Sequence, residues 1–135
     1  MNAFERIRIA APLCDGYLID RLAMSRVEET DALDIGLRWG PAKPDIVLSF
    51  QDAYYVEIGR LPGPGGEPLD NVTATVLAPS DEPWPAPLRI DTVRSAGMPP
   101  LLWFHAEGPV QLNIVSAIAT AFIEVDAAAH TLGQG

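Results

Sequence analysis

The chain has 135 residues, of which 48% are hydrophobic and 20% charged, so one domain can bury a core without disulfides or metals. The formal charge of -9 argues against nucleic acids and anionic membranes as partners, because both require a basic surface. One cysteine excludes an internal disulfide, and neither a signal peptide nor a long apolar run is present. We therefore expect a cytoplasmic protein.

Apolar periodicity predicts strands along the first part of the chain. Apolar residues alternate with arginines over residues 5–11, which predicts a short amphipathic strand. Residues 19–28 fit helix or strand, and strand is favoured because a polar turn and a clearly alternating strand at 33–39 follow. These two segments predict a β-hairpin. Two prolines in residues 40–44 predict a loop.

Residues 45–58, DIVLSFQDAYYVEI, have the strongest strand pattern in the chain. Even-numbered positions are apolar up to Phe50 and again from Tyr54. Asp52 is also even-numbered, so in a straight strand its carboxylate would point into the core and be buried without a partner. We expect a bulge or bend at residues 51–52. The alternative is a functional Asp52 directed into a cleft.

Further strands are predicted over residues 71–77, 88–93 and 101–106. The Gly/Pro-rich segment 61–68 predicts a connection between strands, since it lacks the Gly-Lys-Ser/Thr end of a phosphate-binding loop. Pro79 to Pro87 contains four prolines around Trp84. We interpret this segment as an ordered surface loop in which Trp84 packs on the core, in preference to a proline-rich ligand for another protein.

Residues 110–125 begin with strand alternation, and residues 114–125 also fit helical spacing. Their β-branched content and the preceding Gly-Pro favour one long or bent strand, although a helix over 114–125 stays open. Residues 1–126 are then a single β domain, and residues 127–135 a flexible C-terminal tail.

Short strands separated by Gly/Pro turns predict an all-β fold, with eight to ten antiparallel strands in a sandwich or open barrel and little helix. The residues expected in the core include Trp39, Phe50, Val56, Phe104 and Ile114.

The sequence contains no pattern that names a reaction. His105 lies two residues from Glu107 in an apolar strand, where the pair could act as a general base. A half-buried, hydrogen-bonded histidine is the commoner role, and neither His105 nor Cys14 has a catalytic partner in sequence. No CxxC or HxxxH spacing indicates zinc. We predict no catalytic residue, metal or cofactor.

Ser49-Phe50-Gln51-Asp52-Ala53, followed by YYVEI, resembles the Ser-Phe-His-Asp-Ala segment of certain small bacterial immunity proteins. Gln51 stands in place of the histidine. Those proteins are β-rich and non-enzymatic, and they neutralise a cognate toxin. The resemblance implies a binding protein and carries no site residues with it.

Three functional hypotheses follow. The first is a non-enzymatic protein-binding module of the immunity type, whose acidic surface meets a basic protein. The second is a small-ligand-binding protein or enzyme with an aromatic-lined cleft. Its candidate ligand-binding residues are Asp52, Tyr54, Tyr55, Trp103 and His105. The third is a structural homo-oligomer, a homodimer joined through a sheet edge.

Overall fold

A computed structural model describes residues 2–59, 68–108 and 110–124. The chain begins with helix α1 and a 3₁₀ turn, Ala11–Cys14, and six strands follow in the described part. The bounds are α1 (Ala3–Ala10), β1 (Leu18–Val27), β2 (Thr30–Arg38), β3 (Asp45–Ile58), β4 (Asn71–Leu77), β5 (Leu101–Glu107) and β6 (Leu112–Glu124).

The six strands form one antiparallel sheet in the order β1-β2-β3-β6-β5-β4. The sheet is not closed. Its two edges nevertheless meet at one point, where Leu18 pairs with Pro68 and the Gly16 N–H donates to the Leu69 C=O at 2.7 Å. The all-β class, the antiparallel pairing and the low helix content are confirmed.

The main core lies between α1 and one face of the sheet. Phe4, Ile7 and Ala11 recur at helical spacing and point into this core. At its centre the rings of Phe50 and Phe104 lie 5.3 Å apart. Phe50, Phe104 and Ile114 are fully buried and Val56 is partly buried against them, as predicted.

A smaller core lies on the opposite face, under the loop of residues 78–100. Trp84 packs there beside Leu88 and Leu101, and its Nε1–H donates to the Thr92 C=O at 2.7 Å. The Arg94 guanidinium donates to two further loop carbonyls. The prediction of an ordered loop held by Trp84 is confirmed.

The predicted hairpin of β1 and β2 is confirmed. The prediction of one long strand in residues 110–125, where a helix over 114–125 was the alternative, is confirmed by β6. The break in β3 is also confirmed. Asp52 has a φ of 53°, its carboxylate is exposed, and the pairing with β6 shifts between Ala53 and Tyr55. A left-handed residue at this position turns the side chain out of the core.

The predicted strand over residues 5–11 is wrong, because this segment lies almost entirely in α1. The Asn2 side chain caps the helix by accepting from the Glu5 N–H at 2.8 Å, and Glu5 pairs with Arg8 one turn later at 2.7 Å. In so short a segment, alternating arginine and isoleucine fits both periods.

The predicted strand over residues 88–93 is also wrong. Leu88 is buried, but Val93 is 83% exposed, and the Thr92 carbonyl accepts from Trp84 and not from a neighbouring strand. The described part therefore has six strands and not eight to ten.

Trp39 is 40% exposed, so its assignment to the core is wrong. It follows the last residue of β2 and packs at the surface on Tyr17, with ring centroids 5.4 Å apart. The Lys43 Nζ lies 3.8 Å from its ring centroid, which stabilises the exposed ring. Residues 61–67 and 127–135, predicted as connection and tail, lie outside the described residues.

Candidate functional site

The bulge at Asp52 divides β3 into two halves with different neighbours. Up to Gln51, which pairs with Ala32, the strand lies between β2 and β6. From Ala53 onward it pairs with β6 alone among the described strands. The tip of the β1–β2 hairpin therefore separates from the second half of β3.

An open cleft of about 430 Å³ fills this separation. This volume lies within the range of ligand-binding sites. The lining residues come from the hairpin tip and from β3, and they are Met24, Ser25, Arg26, Asp31, Ala32, Leu33, Ala53, Tyr54, Tyr55 and Val56. Apolar, aromatic and charged side chains thus converge between segments distant in sequence.

The charged residues of the hairpin tip and of the β3 bulge, which line the cleft or adjoin its lining along the chain, are here called the rim, and most of them are acidic. Glu28 and Glu29 form the hairpin turn, and Asp52 begins the second half of β3. Asp31 pairs with Arg26 at 3.2 Å, with both side chains about 70% exposed. Counting these residues, the rim carries four carboxylates and one guanidinium. This arrangement favours a cationic group over an anionic one.

A hydrogen-bonded network lies on β3, β6 and β5 beside the cleft, and Asn113 is its centre. Asn113 is only 4% exposed. Its Oδ1 accepts from Trp103 Nε1–H at 2.9 Å and lies 2.7 Å from His105 Nδ1, and its Nδ2–H donates to Glu57 Oε1 at 2.8 Å. The buried amide is therefore satisfied on both sides.

His105 is held at both ring nitrogens. Because Asn113 Oδ1 can only accept, His105 Nδ1 must donate to it, and His105 Nε2 lies 2.9 Å from Glu107 Oε1. With Nδ1 donating, Nε2 donates to the Glu107 carboxylate only when the ring is protonated, and this hydrogen bond lowers the pKa of Glu107. These contacts orient the ring and occupy the nitrogens that a general base would use.

Tyr55 connects the network to the cleft. Its ring lines the cleft, and its hydroxyl donates to Glu57 Oε2 at 3.1 Å. Burial raises the pKa of Tyr55, and the neighbouring Glu57 raises it further. The hydroxyl therefore stays protonated at neutral pH and acts as a donor.

The five predicted ligand-binding residues are not gathered in one place. Tyr54 and Tyr55 line the cleft and Asp52 stands at its rim. Trp103 and His105 lie outside the cleft lining, although Trp103 packs against the same smaller core as Tyr54 and Tyr55. Hydrogen bonds connect Trp103 and His105 to Tyr55 through Asn113 and Glu57.

Sequence reasoning missed Asn113, Arg26 and Asp31. A single amide between Leu112 and Ile114 was a usable signal, since a polar residue in an apolar strand needs partners. The positions of Arg26 and Asp31 on either side of the hairpin turn were a weaker signal for these two residues.

Among the described residues, no three or more His, Cys, Asp or Glu side chains gather as a metal site. Within the same residues, no helix has the length and apolar character needed to cross a membrane. Comparisons of the chain with protein-family models, with curated proteins and with solved structures found no match.

Proposed function

We propose that this protein is a non-enzymatic binding module whose partner is a basic protein. The observation that carries the proposal is the open cleft of about 430 Å³ between the hairpin tip and β3, with four carboxylates on its rim. The overall charge of -9 has the same sign, so the long-range field and the local rim attract the same class of partner.

The specific form that we propose is an immunity-type role, in which the partner is a toxin that the module neutralises. The segment resembling immunity proteins, residues 49–53, runs along β3 into the bulge, and its last residue, Ala53, lines the cleft. Its position beside the cleft supports this form of the proposal.

The first experiment identifies the partner. The protein is cross-linked in its own organism, purified, and its cross-linked peptides are sequenced by mass spectrometry. A basic polypeptide linked near the cleft is the expected result. Stopped-flow mixing with the purified partner should then show an association rate that falls as salt rises, with a smaller change in the dissociation rate.

Two matched charge variants test the role of the rim. Glu28→Gln with Glu29→Gln neutralises two rim carboxylates, and Asp20→Asn with Asp45→Asn neutralises two exposed ones elsewhere. Asp45 starts β3, eight positions before Ala53 and so roughly 25 Å away along the strand. The rim variant should slow association more. Equal effects, or an association rate independent of salt, would contradict the proposal.

The aromatic lining favours a second candidate, a small-ligand-binding protein. Tyr54 and Tyr55 line a cleft of suitable volume. Native mass spectrometry of the purified protein tests this candidate. A bound small molecule that is lost in Tyr54→Ala, without any polypeptide partner, would favour the small-ligand function over the protein-binding one.

A further inference from the structure

The second half of β3 has one backbone edge that no described strand covers. The Gly59 N–H donates to the Gln111 C=O at 2.8 Å, which fixes the hydrogen-bonded pairs between β3 and β6. In an antiparallel ladder, hydrogen-bonded pairs alternate with non-hydrogen-bonded pairs. Glu57 and Tyr55, two and four residues before Gly59, therefore direct their backbone N–H and C=O groups to β6. Val56 and Ile58 direct theirs to the opposite side.

That opposite side faces the cleft at Val56. The pairing of β2 with β3 ends at Ala32 and Gln51, so the N–H and C=O groups of Val56 and Ile58 lack a strand partner among the described residues. An uncovered strand edge is a template for another extended chain.

We infer that the partner binds by adding an extended, cationic segment as a strand along the open edge of β3, residues 53–58. The inference rests on the proposed function and specifies how that site recognises its partner. Backbone hydrogen bonds to Val56 and Ile58 supply affinity, and alternate side chains of the added strand supply specificity.

The lining and rim decide the chemistry of the added segment. Met24 of the hairpin and Val56 of β3 offer apolar contacts from the two sides of the cleft, and the tyrosine rings and Asp31 offer sites for a lysine or arginine. The formal charge of -9 and the acidic hairpin turn, Glu28 and Glu29, disfavour an acidic segment. A sequence in which basic and β-branched residues alternate therefore fits the edge.

Amide hydrogen exchange on the free protein tests the open edge. The Val56 and Ile58 amides should exchange at least about tenfold faster than those of Tyr55 and Glu57, which bond to β6. Equal protection of all four amides would show that the edge is already covered. Protection of Val56 that grows with protein concentration would assign the edge to a second copy of the chain, and either result overturns the inference.

Peptide probes test the occupant. The probe is a short acetylated and amidated peptide in which lysine alternates with valine, and its control carries glutamate in place of lysine. The lysine peptide should bind at least about tenfold more tightly and protect the Val56 amide from exchange. N-methylation of one alternate set of peptide amides should abolish binding, while methylation of the other set should change it less than about twofold.

Failure of this inference differs from failure of the proposed function. No binding of the lysine peptide at millimolar concentration, or equal tolerance of both methylated sets, overturns strand addition. If a basic partner still associates with salt-dependent rates, the binding-module proposal stands and only the recognition mode is wrong. If cross-linking finds no polypeptide partner, the proposed function itself is wrong.

Discussion

At the residue scale, Phe50 shows how much one side chain contributes to this core. Its side chain is fully buried and packs against Phe104. Phe50→Ala should lower the free energy of unfolding by roughly 3–5 kcal/mol, through lost transfer energy and the cavity left behind. Urea denaturation measures the change. Ile118→Ala, at a position that is 48% exposed, is the control and should cost far less. A loss below about 1 kcal/mol at Phe50 would contradict the packing described.

Ser116 and Asn113 are buried polar residues on the same strand with opposite surroundings. The Ser116 Oγ is the one buried side-chain polar atom of the described residues without a hydrogen-bond partner, whereas Asn113 is satisfied at both amide atoms. Ser116→Ala should leave stability unchanged or raise it by about 1 kcal/mol. Asn113→Ala should lower stability by roughly 1–3 kcal/mol, because Trp103 Nε1–H and Glu57 lose their partner. Destabilisation by Ser116→Ala comparable to that by Asn113→Ala would indicate a hidden partner for Ser116.

Cys14 couples stability to alkaline pH. The thiol is fully buried, and burial raises its pKa from the ordinary value of 9.0 to about 11, with a smaller contribution from Asp15. Between these two values the folded state holds a proton that the unfolded state has released. Stability should therefore be complete below about pH 9 and fall by about 2–3 kcal/mol towards pH 11.

Urea titrations at several pH values measure this dependence, with Cys14→Ala as the matched variant. The variant should have a shallower loss of stability over the same pH range. Some loss should persist, because burial also raises the pKa of Tyr17. Identical slopes in the two proteins would show that Cys14 is not the titrating group.

At the scale of elements, the β1–β2 hairpin is built on an unfavourable turn. Glu28 and Glu29 have φ angles of 49° and 69°, a conformation that side chains other than asparagine, aspartate and glycine rarely adopt. Together with Asp52, they are the non-glycine residues of positive φ in the described chain. All three carry carboxylates at the rim of the cleft, which is consistent with charge being retained there at a cost in stability.

Glu28→Asn with Glu29→Gly should raise the free energy of unfolding by about 1 kcal/mol, because Asn-Gly is the preferred pair for this two-residue turn. Thermal denaturation gives the measurement. Glu82→Asn is the control, because it removes an exposed carboxylate at a residue whose φ is not positive. It should have little effect on the free energy of unfolding. If the proposed function is right, the stabilised hairpin variant should also associate with its partner more slowly. An unchanged or lower melting temperature would mean that the turn is not strained.

At the scale of the whole molecule, the formal charge of -9 leads to a prediction about nucleic acids. With -9 formal charges, the protein should not bind DNA or RNA tighter than about 10⁻⁴ M at physiological salt, since it has too few cations to release phosphate counterions. Fluorescence anisotropy with labelled duplex and single-stranded probes measures this. Tight binding that weakens steeply with salt would refute the proposed class of partner.

The sequence by itself determined the six strands of the sheet and the break in the longest one, although it also predicted strands over residues 5–11 and 88–93 that do not form. Period-2 alternation follows from the local geometry of the backbone, so β3, β4, β5 and β6 could be predicted without knowing their neighbours. The bulge followed from the cost of burying an unpaired carboxylate at Asp52. Tyr54 and Tyr55 were named as candidate ligand-binding residues because aromatic side chains were expected to line a cleft, and both line the one described here.

Only the tertiary structure decided what covers each strand. Trp39 is exposed and residues 88–93 form a loop because burial and pairing depend on what lies opposite, which alternation alone does not report. The cleft is the clearest case. The cleft exists because β2 stops pairing with β3 at Gln51, whereas β6 pairs with β3 as far as Ile58. The hairpin tip and the second half of β3 therefore lie on opposite sides of the cleft. Pairing between distant segments is a property of the folded sheet, and the sequence of either segment alone does not contain it.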